Sequence, residues 1–267
     1  MLAGDEEGIV RALADRQDAT SMRIRADLAK GRHDLSQELV TREALCALPE
    51  AKAADEYALS LVLIKLGDFR HAVRILERMV TPDPETSVDK HLALGDALSG
   101  WARIDEARDS YGDAATLALE RGDGVQVMTA ALGLARLSFA SGRRCFARAE
   151  AERVRDEAKS MNQDKLLIEA WTEISRAAFG TGDTREGIRA AYEAQAAALR
   201  ANTSPLRPRL ASVLSLAIEL DGDVAQGKQL REDAREALRS KALQISDTEW
   251  RRCFLEHVPA HAELMMD

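Results

Sequence analysis

With 267 residues, a formal net charge of −8 and only 4% aromatic residues, the chain is long enough to bury a sizeable core but lacks the β-branched and aromatic windows that build sheets. Its 37 basic residues against 45 acidic ones argue against a general binder of phosphate backbones, so no nucleic-acid partner is expected. No window approaches 18 uncharged apolar residues, so no membrane span is expected.

Taken in chain order, residues 3–16 form at best a short amphipathic helix, with Ile9, Val10 and Leu13 on one side. Their segment MLAGDEEGIVRAL has neither the basic start nor the apolar run of a secretory leader. From there a repeat begins, aligned on a small residue in the second helix of each helix-turn-helix unit. A large side chain at that position would push the paired helices apart.

The first unit has Gly31 in the turn and Ser36 at the small position, with Ile24 rather than a small residue in its first helix. The second carries Ser60, the turn Gly67-Asp68 and Ala72, and ends at Thr81-Pro82-Asp83-Pro84. The third has Gly95 and Ala107, and the fourth has Ala135, Gly142 and Ala147. The fifth, WTEISRAAFGTGDTREGIRAAYEA, has Ser175, Gly182 and Gly187. Pro205 and Pro208 separate it from the sixth, which has Ser215, Gly222 and Gly227.

The second-helix small positions therefore fall at 36, 72, 107, 147, 187 and 227, with steps of 36, 35, 40, 40 and 40 residues. All six are Ser, Ala or Gly, and the position twelve residues earlier is small in five units of six. Beyond them, SDTEWRRCFLEHVPAHAELM offers Ser246 or Asp247 as an N-cap, with Trp250, Phe254 and Val258 at four-residue spacing. This segment reads as a helix covering the open face of the terminal repeat.

The pattern resembles the tetratricopeptide (TPR) repeat superfamily. Residues 53–86 fit its 34-residue form, closing proline included, while the 40-residue units resemble the arrays of bacterial MalT-type regulators and related signalling ATPases. The expected fold is all-α: a right-handed superhelical solenoid of about six TPR-like repeats. The expected division is an N-terminal helix over 1–16, the array over 17–240, and a C-terminal capping helix and tail over 241–267.

Catalytic constellations are missing. The chain has no G-x-x-x-x-G-K-[ST], no G-x-S-x-G, no H-E-x-x-H, and no G-x-G-x-x-G after a strand. Gly180-Thr181-Gly182-Asp183 reads as a helix turn rather than a phosphate loop. His257 and His261 stand four apart, but Pro259 lies between them and no third ligand is near, so they read as surface histidines. Cys46, Cys145 and Cys253 are far apart without C-x-x-C spacing, which indicates neither disulfides nor zinc and suits a reduced, cytoplasmic setting. Arg251 and Arg252 beside Cys253 would favour a thiolate, yet a small packing residue is the simpler reading. The expectation is no enzyme, no metal and no cofactor.

The concave face carries more information. Where the first helix of each unit lines the inner surface, the positions one and four beyond its small residue face inward. In units four and five these are Arg136 with Phe139 and Arg176 with Phe179, the same Arg-x-x-Phe pair forty residues apart. Two neighbouring arginines repel unless an anion sits between them. One candidate is an intramolecular carboxylate, Glu169 or Glu173. The other is a ligand carboxylate or phosphate gripped by the guanidinium forks. Thr129, Thr172 and Arg209 fall on the same face and would add hydrogen bonds. Tyr57, Leu61 and Ile64 mark a second, apolar groove.

The leading expectation is a non-catalytic scaffold that takes a protein or peptide with an acidic or carboxylate anchor in its concave groove. The alternative is a sensor or regulatory module of a larger bacterial signalling or transcription-regulatory protein, with a small ligand as its input. A homodimer through the weak first unit is left open.

Overall fold

The computed structural model describes residues 16, 18–32, 34–81 and 84–266. The expected N-terminal helix (Arg16 excepted), His33 and the Pro82-Asp83 pair lie outside them. Among the described residues helix is the only regular secondary structure. Six antiparallel pairs follow in order: α1 (Ala19–Gly31) with α2 (Leu35–Cys46), α3 (Ala53–Leu66) with α4 (Phe69–Arg78), and α5 (Pro84–Gly100) with α6 (Ile104–Glu120). Then come α7 (Gly124–Ala140) with α8 (Arg144–Ser160), α9 (Asp164–Thr181) with α10 (Thr184–Arg200), and α11 (Pro208–Leu220) with α12 (Val224–Leu243). Two short helices, α13 (Thr248–Glu256) and α14 (Pro259–Met265), complete the chain.

The turns follow from two residue types. At Gly67, Gly182 and Gly222 the backbone is left-handed, with φ of 84°, 83° and 113°, a conformation that ends a helix at low steric cost. The aspartate that follows caps the next helix: Asp68 accepts from the His71 N–H at 3.1 Å, Asp183 from Glu186 at 3.3 Å and Asp223 from Gln226 at 2.9 Å.

Small residues set the close approach of paired helices. Ala107, Ala147, Ala151, Ala191 and Ala194 are all buried, and Ser175 donates from its hydroxyl to the Gly187 carbonyl at 2.8 Å, tying α9 to α10. Gly187 has a further reason to be glycine: a Cβ there would stand 2.4 Å from Phe179 Cδ1. Leu132, Ile168, Ile174 and Leu214 fill the space between pairs and are fully buried.

The C-terminal segment departs from a simple cap. Asp247 does cap α13, accepting from the Trp250 N–H at 2.9 Å. The four-residue spacing that would carry one helix through Val258 is interrupted, however, because Val258 is the extended N-cap of α14 and Pro259 opens that helix. Only the first of the two then crosses to the other end of the array. α13 packs on α3, and α14 on α11. The backbone N–H of Ser246 donates to Ser36 Oγ at 3.0 Å, and a Cβ on Gly67 would meet the Cys253 carbonyl at 2.7 Å. Ile245, Phe254 and Leu264 share one hydrophobic cluster with Leu39, Leu63, Leu76 and Tyr111, so the last helices join both ends of the array into one core. No described helix is long and apolar enough to cross a membrane.

Candidate functional site

The inner faces of α7, α9 and α11 meet at Glu173. This carboxylate is 3% exposed and accepts from three guanidinium groups. Arg209 Nη1 lies 2.9 Å and Arg136 Nε 3.1 Å from its Oε1, and Arg176 Nη1 lies 2.8 Å from its Oε2. Burial alone would raise the Glu173 carboxyl, but Arg209, Arg176 and Arg136 together outweigh it and hold the group down to about 2. The expected arginine ladder is thus bridged by one of the two acids foreseen for it. The other, Glu169, takes Arg136 Nη2 at 2.6 Å and faces Arg207 at 3.6 Å.

The three arginines do not share Glu173 equally. Enclosure by the walls lowers the tendency of each to stay charged. For Arg136, Glu169, Glu173 and Asp96 overcome that cost and raise its pKa. For Arg209, enclosure and the repulsion of Arg136 prevail over Glu173 and lower it. Arg136 and Arg209 keep 24% and 30% of their side-chain surface exposed, as expected for groups that line an open cavity with protein on most sides. Asp96, on the same inner face, also sees solvent. Enclosure pushes its carboxyl up, against the hydrogen bond donated by the Tyr111 hydroxyl at 2.6 Å.

A cavity of about 260 Å³ opens at this network, lined among others by Arg136, Glu169, Thr172, Glu173, Arg207 and Arg209. Its far wall is Ala260 and His261 of α14. His261 donates from Nδ1 to the Phe254 carbonyl at 2.7 Å and stacks on the Phe254 ring at 4.4 Å. Burial lowers its pKa. His257 ends the preceding helix, so the two histidines sit on separate elements rather than on one metal-binding face.

The remaining sequence-derived residues divide into those that join the network and those that do not. Phe139 lies under the Arg176 guanidinium, 4.4 Å from ring centroid to Cζ. Phe179 instead packs on Gly187 inside unit five. The Thr172 hydroxyl donates to the Ile168 carbonyl at 2.7 Å and Thr129 to Val125 at 2.8 Å; Thr172 lines the cavity, whereas Thr129 is absent from its lining. Tyr57, Leu61 and Ile64 are half-buried against the main core on α3, the helix that α13 covers. Burial pushes the Tyr57 hydroxyl up to about 12. Cys253 is buried and its thiol is pushed up, so Arg252 does not make it a thiolate.

Two residues escaped the sequence reading, Arg207 and Glu263, while His261, expected as a surface histidine, is half-buried in the cavity wall. Glu263 accepts from Arg176 Nη2 at 2.9 Å across 87 residues of sequence. It lies outside the repeat frame, so no spacing marks it.

No family model and no curated protein matches the chain by sequence. Among solved structures, the chain is similar to the Rap conjugation gene regulator of plasmid pLS20 in complex with the Phr* peptide. That likeness has a TM-score of 0.62 at 14% identity, over 97% of this chain and 75% of that one. It is also similar to the apo form of RapI, with a TM-score of 0.65 at 9% identity over 92% of this chain and 97% of that one. A putative kinesin light chain of Podosopora anserina with TPR-like repeats aligns at a TM-score of 0.51 and 17% identity, over 70% of this chain and 94% of that one. The chain is a TPR-like repeat solenoid. At these identities the likeness is one of fold, and the TPR-like architecture is what places α7, α9 and α11 side by side on the inner wall.

The TPR-like array also holds a larger cavity, about 640 Å³, between the second helices of units four and five. There Arg155 and Arg189 flank the Trp171 ring at 5.0 and 5.1 Å. Both guanidinium groups are already matched, Arg155 by Asp156 and Arg189 by Glu186. Their stacking on a nearly buried indole reads as a clamp between repeats rather than a receptor.

Proposed function

We propose that this chain is a non-catalytic binding scaffold whose concave groove takes a peptide or protein segment with an acidic anchor, held at Arg136, Arg176, Arg207 and Arg209. The observation that carries the reading is the 260 Å³ cavity that opens on three of these guanidinium groups. Four guanidinium groups and four carboxylates, Asp96, Glu169, Glu173 and Glu263, share this wall, and Arg207, 44% exposed and 3.6 Å from Glu169, keeps its fork open to a further carboxylate. Peptide capture by the pLS20 Rap regulator supports a peptide as occupant. It also supports a regulatory rather than purely structural role, with residues 17–240 as the binding array and 241–267 as the segment closing it. The three free cysteines suit a reducing, cytoplasmic compartment.

Fluorescence anisotropy with a panel of synthetic peptides, each paired with its Glu-to-Gln counterpart, tests the reading. Acidic members should bind the wild-type chain at least about tenfold more tightly than their amide counterparts, the worth of one charge-assisted hydrogen bond. The preference should vanish in an Arg176→Gln/Arg207→Gln variant whose unfolding transition is retained. Equal binding of acidic and amide peptides would remove the concave site from consideration.

A further inference from the structure

Arg176 holds its carboxylate partners unevenly. Its Nη1 is taken by Glu173 and its Nη2 by Glu263, while its Nε is buried and without a hydrogen-bond partner. Nε and Nη2 lie on the same edge of the guanidinium fork, the edge that a freely placed carboxylate grips with both oxygens. Glu263 reaches only half of that edge. It sits on α14, a helix of seven residues whose N-cap, Val258, contributes no side-chain hydrogen bond.

A helix this short does not persist on its own, so α14 owes its place to a few contacts. Leu264 is 2% exposed. Arg235 donates from Nε to the Leu264 carbonyl at 2.9 Å and from Nη2 to the Met266 carbonyl. Glu263 provides the contact to Arg176. In that position α14 puts an acidic side chain on the inner-wall arginine, buries the leucine beside it, and closes the cavity with Ala260 and His261. Those are the contacts an external segment would make.

Resting on the groove reading above, we propose that α14 is the resident occupant of the site, and that the partner is an acidic helical segment that replaces it, with a carboxylate on Nε and Nη2 of Arg176 and an aliphatic side chain in the place of Leu264. Departure of Glu263 leaves four guanidinium groups against three carboxylates, Asp96, Glu169 and Glu173, which draws an acidic replacement in. α14 is joined to α13 by His257-Val258 and by the His261–Phe254 hydrogen bond, so its release breaks that bond while α13 keeps its own packing on α3.

The test uses the full chain and a labelled synthetic peptide of residues 258–266, VPAHAELMM. Two readouts are taken: anisotropy for affinity and hydrogen exchange over residues 259–266 for release of the tail. Glu263→Gln in the chain should speed exchange there and raise peptide affinity, each by about tenfold for one charge-assisted contact. Glu263→Gln in the peptide should lower its affinity for the wild-type chain by a similar factor, and that discrimination should disappear in the Arg176→Gln chain. The peptide-side arm needs no variant to fold.

Faster exchange with unchanged affinity for a peptide that does bind would overturn the competition while leaving the groove reading intact. Unchanged exchange would show that Glu263 does not hold the tail, and would overturn the proposal as well. Failure of this peptide where other acidic peptides bind would overturn α14 as the model of the partner. Failure of every acidic peptide would instead overturn the groove reading on which the inference rests.

Discussion

Units four and five carry the same Arg-x-x-Phe pair in the same register, yet the two copies have different partners. Arg136 reaches forward to the next first helix and finds Glu169 and Glu173 there. Ahead of Arg176, in unit six, the position forty residues beyond Glu169 is Arg209 and the one beyond Glu173 is Val213, so neither acid is repeated there. Arg176 pairs back to Glu173 on its own helix, and its second carboxylate comes from Glu263, outside the array. The rings divide in the same way. Phe179 presses on Gly187, whereas unit four has Ala147 at that position, and Phe139 instead lies under Arg176. A repeat copies the backbone position of a side chain; its partner depends on what the neighbouring unit presents.

The strongest way to break this comparison is at Glu173, where both copies converge. Glu173→Ala leaves three guanidinium groups around an enclosed site without their shared anion, and should destabilise the fold by about 3–5 kcal/mol, the usual cost of breaking a buried pair. Urea denaturation measures it. The same carboxylate predicts an acid response. Its folded-state pKa, about 2, lies below the ordinary 4.5, so its contribution is present above pH 4.5 and is lost as pH falls through about 2. A shift of this size corresponds to something on the order of 3 kcal/mol, and Glu173→Gln should remove that part of the pH dependence.

The next effect separates the two phenylalanines. Gly187→Ala should cost about 1–3 kcal/mol by overpacking, and Phe179→Leu in the same chain should recover part of it. Ala147→Gly in unit four, where no ring waits, should cost only about 1 kcal/mol of helix propensity. Equal penalties in thermal unfolding would show that the two units pack alike after all.

The smallest effect belongs to Thr129, whose hydroxyl serves its own helix. Thr129→Val should change stability by less than about 0.5 kcal/mol and leave peptide affinity unaltered in the same anisotropy assay. A lost affinity would bring Thr129 into the site.

Periodicity alone determined the helix pairs, their turns and the inward direction of Arg136 and Arg176. Small residues at 35- to 40-residue steps are a local packing requirement, and helix geometry turns spacing into facing. An anion between the arginines was legible for the same reason: like charges brought together need one, and Glu173 and Glu169 stand about one and two helical turns before Arg176. Which acid bridges which arginine was not legible, because that depends on how far each helix is advanced against the next. The tertiary structure alone decided the fate of the C-terminal segment. The four-residue spacing of Trp250, Phe254 and Val258 describes a helix but not its destination, and Pro259 divides the segment so that its last turn can swing onto α11. Glu263 meets Arg176 only because α14 folds onto α11, the helix beside α9, a placement that no local window of sequence contains.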